Sequence, residues 1–223
     1  MPEDLILSAI LCGGTGTRLW PLSRASYPKQ YLNVSSHDSF SFLQETVRRV
    51  TKIKNVMNPL IVCNQEHRFL VAEQMRDIKI KPQSILLEPC GRNTAPAITS
   101  LAIKANEKGE NPILLVLPSD HDIKNEFNFE KAIHAALPFV NEDKLVTFGV
   151  TPTEAASGFG YIESENILSH EELNGEKIIR FIEKPSKEVA ESFLLKKNFY
   201  WNSGIFMFRA NSFLKEIKKY SFD

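Results

Sequence analysis

The sequence predicts an α/β fold in which a mostly parallel sheet is covered by helices on both faces. Short continuous apolar runs alternate with segments whose apolar residues recur at helical spacing, and this alternation is typical of βαβ units. We predict strands at 5–11, 60–63, 84–88, 113–117 and 145–150, with helices between them at 42–50, 66–76, 94–106 and 129–140. In such a sheet ligands bind beyond the carboxyl ends of the strands. The turns that follow the strands are therefore the candidate site.

The pattern changes after residue 150. A glycine-rich strand entry at 157–163 precedes a half-exposed strand at 177–185, a helix at 186–196 capped by Ser186, a strand at 201–208 and a helix at 210–220. We see no internal repeat and no low-complexity linker. We therefore expect one domain over residues 1–223, with no second domain.

Composition excludes several functional classes. The chain has 223 residues, enough for one domain with a large core. Lys and Arg together number 27, as do Asp and Glu, so no basic surplus favours nucleic acid or an acidic membrane as a partner. No stretch reaches the roughly 18 apolar residues of a membrane span, and the start of the chain is acidic where a signal peptide is basic. We expect a cytoplasmic protein.

Three cysteines give an odd number without metal-ligand spacing. Cys12, Cys63 and Cys90 each sit at the end of a predicted strand. We therefore expect all three to be buried apolar side chains in a reducing compartment.

The glycine-rich segment after the first strand is the most informative stretch. Gly13, Gly14 and Gly16 permit positive φ, so successive N–H groups can point into one concavity that suits phosphate oxygens. Arg18 adds a planar fork of donors and Lys29 adds a point charge, which together suit a triphosphate. The segment lacks the lysine of a Walker A loop and the third glycine of a dinucleotide fingerprint. A tight turn with two solvated cations is the alternative.

The glycines, Arg18, Trp20-Pro21-Leu22-Ser23-Arg24 and Pro28-Lys29-Gln30 occur here in one order. This order resembles the signature of the sugar-1-phosphate nucleotidylyltransferases, in the version of the mannose-1-phosphate guanylyltransferases. The resemblance implies a three-layer, Rossmann-like nucleotidyltransferase domain with a mostly parallel, mixed sheet. It also implies GTP and mannose-1-phosphate as substrates, Mg²⁺ as cofactor, and is compatible with a homodimer. The nucleotide-binding residues it implies here are Leu11, Gly13, Gly14, Thr15, Gly16, Thr17, Arg18 and Lys29.

Asp120 ends an apolar strand between Ser119 and His121. A carboxylate in this place suits Mg²⁺, which takes oxygen ligands and substrate phosphates. The alternative is a helix-capping aspartate. In the family that the chain resembles, the Asp of Leu-Pro-Ser-Asp-His binds the metal, which favours Asp120 as the metal ligand. We interpret His121 as positional, because a phosphate nucleophile needs no base.

Four further segments resemble family elements. The stretch 88–97 resembles the guanylyltransferase base loop, in which Gly91, Arg92 and Asn93 would contact the nucleotide, although Asn93 is also expected to cap the helix that begins at Thr94. This loop favours GTP over uridine and thymidine nucleotides. Glu183-Lys184-Pro185, Gly160 and Asn202 resemble the sugar-phosphate elements. The alternatives are a solvated turn at 183–185 and core packing around Trp201.

The implied reaction is an in-line attack by a sugar-1-phosphate oxygen on the α-phosphorus of a nucleoside triphosphate. Arg18, Lys29 and Lys184 are the catalytic residues that the resemblance implies, acting through positioning and charge neutralisation. Family members continue past the last motif found here and carry a second acidic metal ligand, so we expect a domain that is incomplete at its C-terminus. A different sugar or base, or a non-catalytic nucleotide-sugar-binding protein, are the competing hypotheses.

Overall fold

A mixed sheet of eight strands forms the centre of the protein. The computed structural model describes residues 5–14, 20–33, 40–169 and 173–220. The strands are β1 (Ile6–Cys12), β2 (Val56–Asn64), β3 (Ser84–Glu88), β4 (Ile113–Pro118), β5 (Val146–Val150), β6 (Gly160–Ser164), β7 (Ile178–Glu183) and β8 (Phe199–Arg209). The helices are α1 (Phe42–Thr51), α2 (Arg68–Asp77), α3 (Thr94–Ala105), α4 (Glu126–Asn141), α5 (Lys187–Lys196) and α6 (Ala210–Tyr220).

The first four strands are parallel, and the later strands turn the sheet into a mixed one. The order is β3-β2-β1-β4-β8-β6-β7, and β5 pairs with β8. β8 runs antiparallel to β4 through residues 206–209 and antiparallel to β6 through residues 199–201. The predicted mixed, mostly parallel sheet is confirmed, and the parallel half places the carboxyl ends of β1 to β4 at one edge.

Helices cover both faces, which confirms the three-layer prediction. Successive side chains of a strand point to opposite faces. Ile6 and Ile10 of β1 accordingly pack in the core shared with α1, α2 and α4, whereas Leu7 and Ala9 pack in the core shared with α3 and α6. A smaller cluster around Phe193 and Phe199 joins α5 to the β6 side of the sheet.

Local signals explain where several elements begin. Ser41 and Gln44 form a reciprocal capping box at the start of α1. α4 begins at Glu126, three residues before the predicted start, because the Asn125 side chain accepts a hydrogen bond from the Asn128 N–H. β2 begins at Val56, four residues before the predicted start at residue 60; Met57 and Asn58 are exposed, so no continuous buried run marks this part of the strand.

The prediction of three buried cysteines is wrong for Cys90. Cys12 and Cys63 are register partners on β1 and β2 and are buried. Cys90 lies two residues beyond the end of β3, after Pro89, and is exposed. Pro89 ends the strand, so the next residue leaves the core.

No helix in the described ranges is long and apolar enough to cross a membrane.

Candidate active site

The carboxyl ends of β1 and β4 meet at the edge of the sheet where the glycine-rich segment begins. The Ser119 N–H donates to the Leu11 carbonyl at 3.1 Å, which fixes the turn after β4 beside the end of β1. Across this edge Lys29 Nζ lies 3.1 Å from Asp120 Oδ2. The structure therefore brings together the predicted phosphate-binding lysine and the predicted metal ligand, which lie 91 positions apart in the chain.

The first two glycines of the segment are exposed. Gly14 has a φ of +95°, a conformation that side-chain-bearing residues rarely adopt. A Cβ built on Gly13 would meet no atom of the described residues within 4 Å, so packing against that part of the protein does not require a glycine there. The predicted nucleotide-binding residues Thr15, Gly16, Thr17 and Arg18 lie outside the described residues.

Gln30 connects this segment to Lys29, and sequence reasoning assigned it no role. Its buried side chain donates from Nε2 to the Cys12 carbonyl at 3.0 Å and to the Gly14 carbonyl at 3.4 Å. Lys29 and Gln30 are neighbours on a short 3-10 helix, Lys29–Tyr31. One side chain contacts Asp120 while the next holds the start of the glycine segment, so the two parts of the site are tied together.

Helix α2 anchors the segment that carries Lys29. Gln74 donates from Nε2 to the Tyr31 carbonyl at 3.1 Å. His67 Nε2 lies 3.0 Å from the Ala25 carbonyl, and because a carbonyl can only accept, this nitrogen carries the proton. Both anchoring side chains are buried. The position of Lys29 is thus set by the core and not by a solvated loop.

Asp120 is suited to a metal ion that arrives with a phosphate. Its side chain is 40% exposed, and among the described residues no group of three His, Cys, Asp or Glu side chains could hold a metal by itself. Mg²⁺ commonly binds through one or two carboxylates together with substrate phosphates and waters. Burial lowers the pKa of His121, which keeps this neighbour of Asp120 neutral near pH 7. The residues present fit Mg²⁺ held jointly by Asp120 and a nucleotide.

The candidate base loop lies on the same edge. Gly91, Arg92 and Asn93 are exposed and follow β3, whose end is two strands away from that of β1, or about 10 Å at the usual strand spacing. The expectation that the Asn93 side chain caps α3 is wrong, because it makes no capping hydrogen bond. Its φ of 63° differs from the extended conformation in which N-cap side chains reach the helix.

Gly160, Glu183 and Lys184 form a second group at the ends of β6 and β7. Gly160 pairs with Glu183 in register, and a Cβ on Gly160 would lie 2.9 Å from Glu183 Oε2. Lys184 Nζ lies 2.9 Å from Glu183 Oε1, and the Lys184 N–H donates to the Phe159 carbonyl at 3.2 Å. The structure thus places a cation, a carboxylate and a closely approached backbone together, as the sugar-phosphate prediction requires.

Asn202 lies on β8, and its carbonyl oxygen is already used within the protein. Asn202 Oδ1 accepts from Thr147 Oγ1 at 3.1 Å and from the Gly204 N–H at 3.2 Å. Only its amide nitrogen could donate to a sugar without breaking these bonds. The role of Asn202 as a sugar contact stays a prediction.

β8 connects the group formed by Gly160, Glu183 and Lys184 to the pair formed by Lys29 and Asp120. The Phe159 and Trp201 rings are in edge contact with centroids 5.0 Å apart, which joins the 158–160 loop to β8. Further along β8, a Cβ built on Gly204 would lie 3.4 Å from Pro118 Cγ. The Gly160–Lys184 side of the site is therefore connected through β8 to the turn that carries Asp120.

A family model described as nucleotidyl transferase matches residues 7–222. The chain belongs to the nucleotidyl transferase family. The match spans almost the whole chain, so the family resemblance and the fold class predicted from the motifs are confirmed. Members of this family generally use a divalent metal ion.

Known proteins of similar sequence and structure support the assignment to this family. Over 97% of its length this nucleotidyl transferase domain is 45% identical to a mannose-1-phosphate guanylyltransferase of Klebsiella pneumoniae, of which it covers 45%. A Helicobacter pylori structure described as mannose-6-phosphate isomerase superposes with a TM-score of 0.79 at 36% identity, over 97% of this chain and 75% of that one. A Thermus thermophilus structure described as mannose-1-phosphate geranyltransferase gives a TM-score of 0.81 at 27% identity, over 96% and 60%. The chain spans about half the length of the curated relatives it matches.

Proposed function

We propose that this chain transfers GMP from GTP to mannose-1-phosphate, giving GDP-mannose and pyrophosphate. The contact of 3.1 Å between Lys29 Nζ and Asp120 Oδ2 carries the proposal, because it joins a phosphate-type cation to a metal-type carboxylate beside the glycine segment. The curated relatives named mannose-1-phosphate guanylyltransferase support the choice of substrates. A homodimer stays a prediction of the resemblance, and a cytoplasmic location stays a prediction from composition.

The nucleotide side of the site binds the triphosphate. Backbone N–H groups after Leu11, at Gly13 and Gly14, face the phosphate oxygens, and Arg18 and Lys29 offset their charge. Asp120 would hold Mg²⁺, which when bound neutralises phosphate charge and the charge that develops on the leaving pyrophosphate. Lys29 then exchanges its contact with Asp120 for one with the nucleotide.

The sugar side of the site delivers the nucleophile. Lys184 binds the phosphate of mannose-1-phosphate, and Glu183 accepts hydrogen bonds from sugar hydroxyls. One oxygen of this phosphate attacks the α-phosphorus of GTP, and the bond from that phosphorus to the bridging oxygen of pyrophosphate breaks. The attacking oxygen is already ionised, so no side chain has to remove a proton. Lys184 and Lys29 act by holding two anions close together.

The loop Gly91–Asn93 selects the base in this proposal. Main-chain groups near Gly91 and the side chain of Asn93 face a purine edge, and Arg92 reaches the phosphates. The absence of a capping bond from Asn93 supports this role, since its amide is not committed to α3.

A coupled assay of pyrophosphate release tests the proposal. The protein is mixed with Mg²⁺, mannose-1-phosphate and, in parallel, GTP, ATP, UTP or dTTP, and each donor is also tested with glucose-1-phosphate. We expect turnover with GTP and mannose-1-phosphate, and a much higher KM for mannose-1-phosphate in Lys184→Ala. Preference for another base or sugar would overturn the substrate assignment. Saturable GTP binding without turnover under any of these conditions would favour a binding protein.

A further inference from the structure

One face of α1 is directed at the candidate active site. Phe42, Thr46 and Arg49 are spaced by four and then three residues, so they lie on the same side of the helix. The Phe42 ring centroid lies 5.3 Å from Lys29 Nζ. Thr46 Oγ1 donates to the Ser119 carbonyl at 3.3 Å, and Arg49 Nη2 donates to the His121 carbonyl at 3.4 Å. We call these three side chains the α1 stripe.

We propose that the α1 stripe is a positioning element that fixes Asp120 and Lys29 relative to each other for metal-nucleotide binding. This inference rests on the proposed function, because it assigns residues that act through Asp120 and Lys29. Ser119 and His121 flank Asp120 on either side, so holding both carbonyls restricts the backbone that aims the carboxylate. The Phe42 ring restricts the lysine through a cation–π contact.

Thr46 behaves differently from the other threonine of its helix. Thr51 Oγ1 donates back to the carbonyls of Val47 and Arg48 within α1, the usual arrangement for a helical threonine. Thr46 is 1% exposed, and its hydroxyl donates instead to a carbonyl 73 positions away, at the end of β4. Its hydrogen bond therefore fixes the Asp120 turn and contributes nothing to the helix ladder.

Arg49 occupies a buried position where an apolar side chain would cost less free energy than an arginine. It is 5% exposed, and its Nε and Nη1 atoms are buried without a hydrogen-bond partner among the residues that the structure describes. Burial accordingly lowers the pKa of this guanidinium. Leaving buried donors unpaired is unfavourable, and the charges of Glu126, Glu45 and Asp122 offset only part of this cost. Within the described residues, its hydrogen bond goes to the residue next to Asp120, which points to a role in the site.

Matched variants on the same helix test the inference. Thr46→Val removes the hydroxyl at similar volume, and Arg49→Met removes the donors while keeping an unbranched side chain. Thr51→Val and Arg48→Met are the controls, since Thr51 bonds within the helix and Arg48 pairs with Glu45 on its outer side. Arg49→Lys returns one cationic donor to the buried position.

Two readouts separate positioning from general destabilisation. Hydrogen exchange followed by mass spectrometry reports the opening of segment 118–122 in the ligand-free protein. Electron paramagnetic resonance of Mn²⁺ added with GTP reports metal binding without turnover, and kcat and KM for GTP are measured alongside.

We expect Thr46→Val and Arg49→Met each to speed exchange in segment 118–122 and to weaken Mn²⁺ binding about fivefold, the effect of losing one hydrogen bond. Both controls should match the wild type, and Arg49→Lys should recover part of the loss. Values equal to those of the controls in both readouts would overturn the inference. If Arg49→Met fails to fold, the comparison of Thr46→Val with its control Thr51→Val decides whether the inference holds. A wild type inactive with every nucleotide would defeat the proposed function, whereas the exchange data would still decide whether the stripe holds the turn.

Discussion

Replacing Lys29 by Met should separate the energetic and the chemical roles of the Lys29–Asp120 pair. The two side chains are 31% and 40% exposed, and ion pairs of this kind contribute about 0.2–1 kcal/mol to stability. The free energy of unfolding should therefore fall by less than about 1 kcal/mol. Removing a charge aimed at the transferred phosphate costs more, about 2.7–4 kcal/mol, or a loss of about 10²- to 10³-fold in kcat. Urea unfolding and the pyrophosphate assay measure the two effects.

Lys52→Met is the matched control for this variant. Lys52 Nζ lies 2.9 Å from Glu126 Oε2 in a pair that is more exposed, at 58% and 45%, and that also joins distant parts of the chain. It should show the same small loss of stability and unchanged turnover. Equal turnover in Lys29→Met and Lys52→Met would refute the assignment of Lys29 to the triphosphate. A loss of several kcal/mol in Lys29→Met would show that the pair is chiefly structural.

Three further predictions concern the loops around the site. Gly13→Ala should leave the melting temperature unchanged, since the added methyl group meets no atom within 4 Å in the described ranges, but should raise KM for GTP; an unchanged KM would remove Gly13 from the site. A thiol reagent at about pH 8 should modify only Cys90 quickly, because burial raises the pKa of Cys63 to about 11 and Cys90 alone is exposed. GTP should slow the labelling of Cys90. An equal rate of labelling with and without GTP would mean that the base binds away from Cys90. Gly160→Ala should displace Phe181 and Glu183 and raise KM for mannose-1-phosphate but not for GTP; equal effects on both would contradict a sugar role.

The parallel half of the sheet could be predicted because each of its strands is a short apolar run followed by a helix. The position of β8 in the order of strands could not be predicted. Its apolar run marks a strand, but nothing in the run shows that it enters between β4 and β6 and contacts β5 as well. Such pairings join distant parts of the chain, and a local pattern contains no information about partners so far away.

Sequence motifs identified Lys29 and Asp120 as candidates, and the structure places them 3.1 Å apart, while their roles stay proposals. Gln30, Thr46 and Arg49 were not assigned roles, although each makes a hydrogen bond that holds the site. From the sequence alone, a glutamine, threonine or arginine beside regularly spaced apolar residues is predicted to be exposed to solvent. Their burial depends on the packing of α1 and the 3-10 helix against the sheet, which the local pattern does not show.

Backbone angles add evidence that side-chain patterns lack. Three lysines in the described ranges have positive φ: Lys79, Lys184 and Lys197. Lys197 caps the end of α5, and Lys79 follows the end of α2 and donates to the Arg76 carbonyl, so helix termination explains both. Lys184 lies between β7 and the N-cap of α5, where no helix ends. A left-handed lysine costs about 1–2 kcal/mol, and strain of this size tends to persist at functional sites. The strained backbone of Lys184 therefore supports, independently of its charge, the role proposed for it in binding the sugar phosphate.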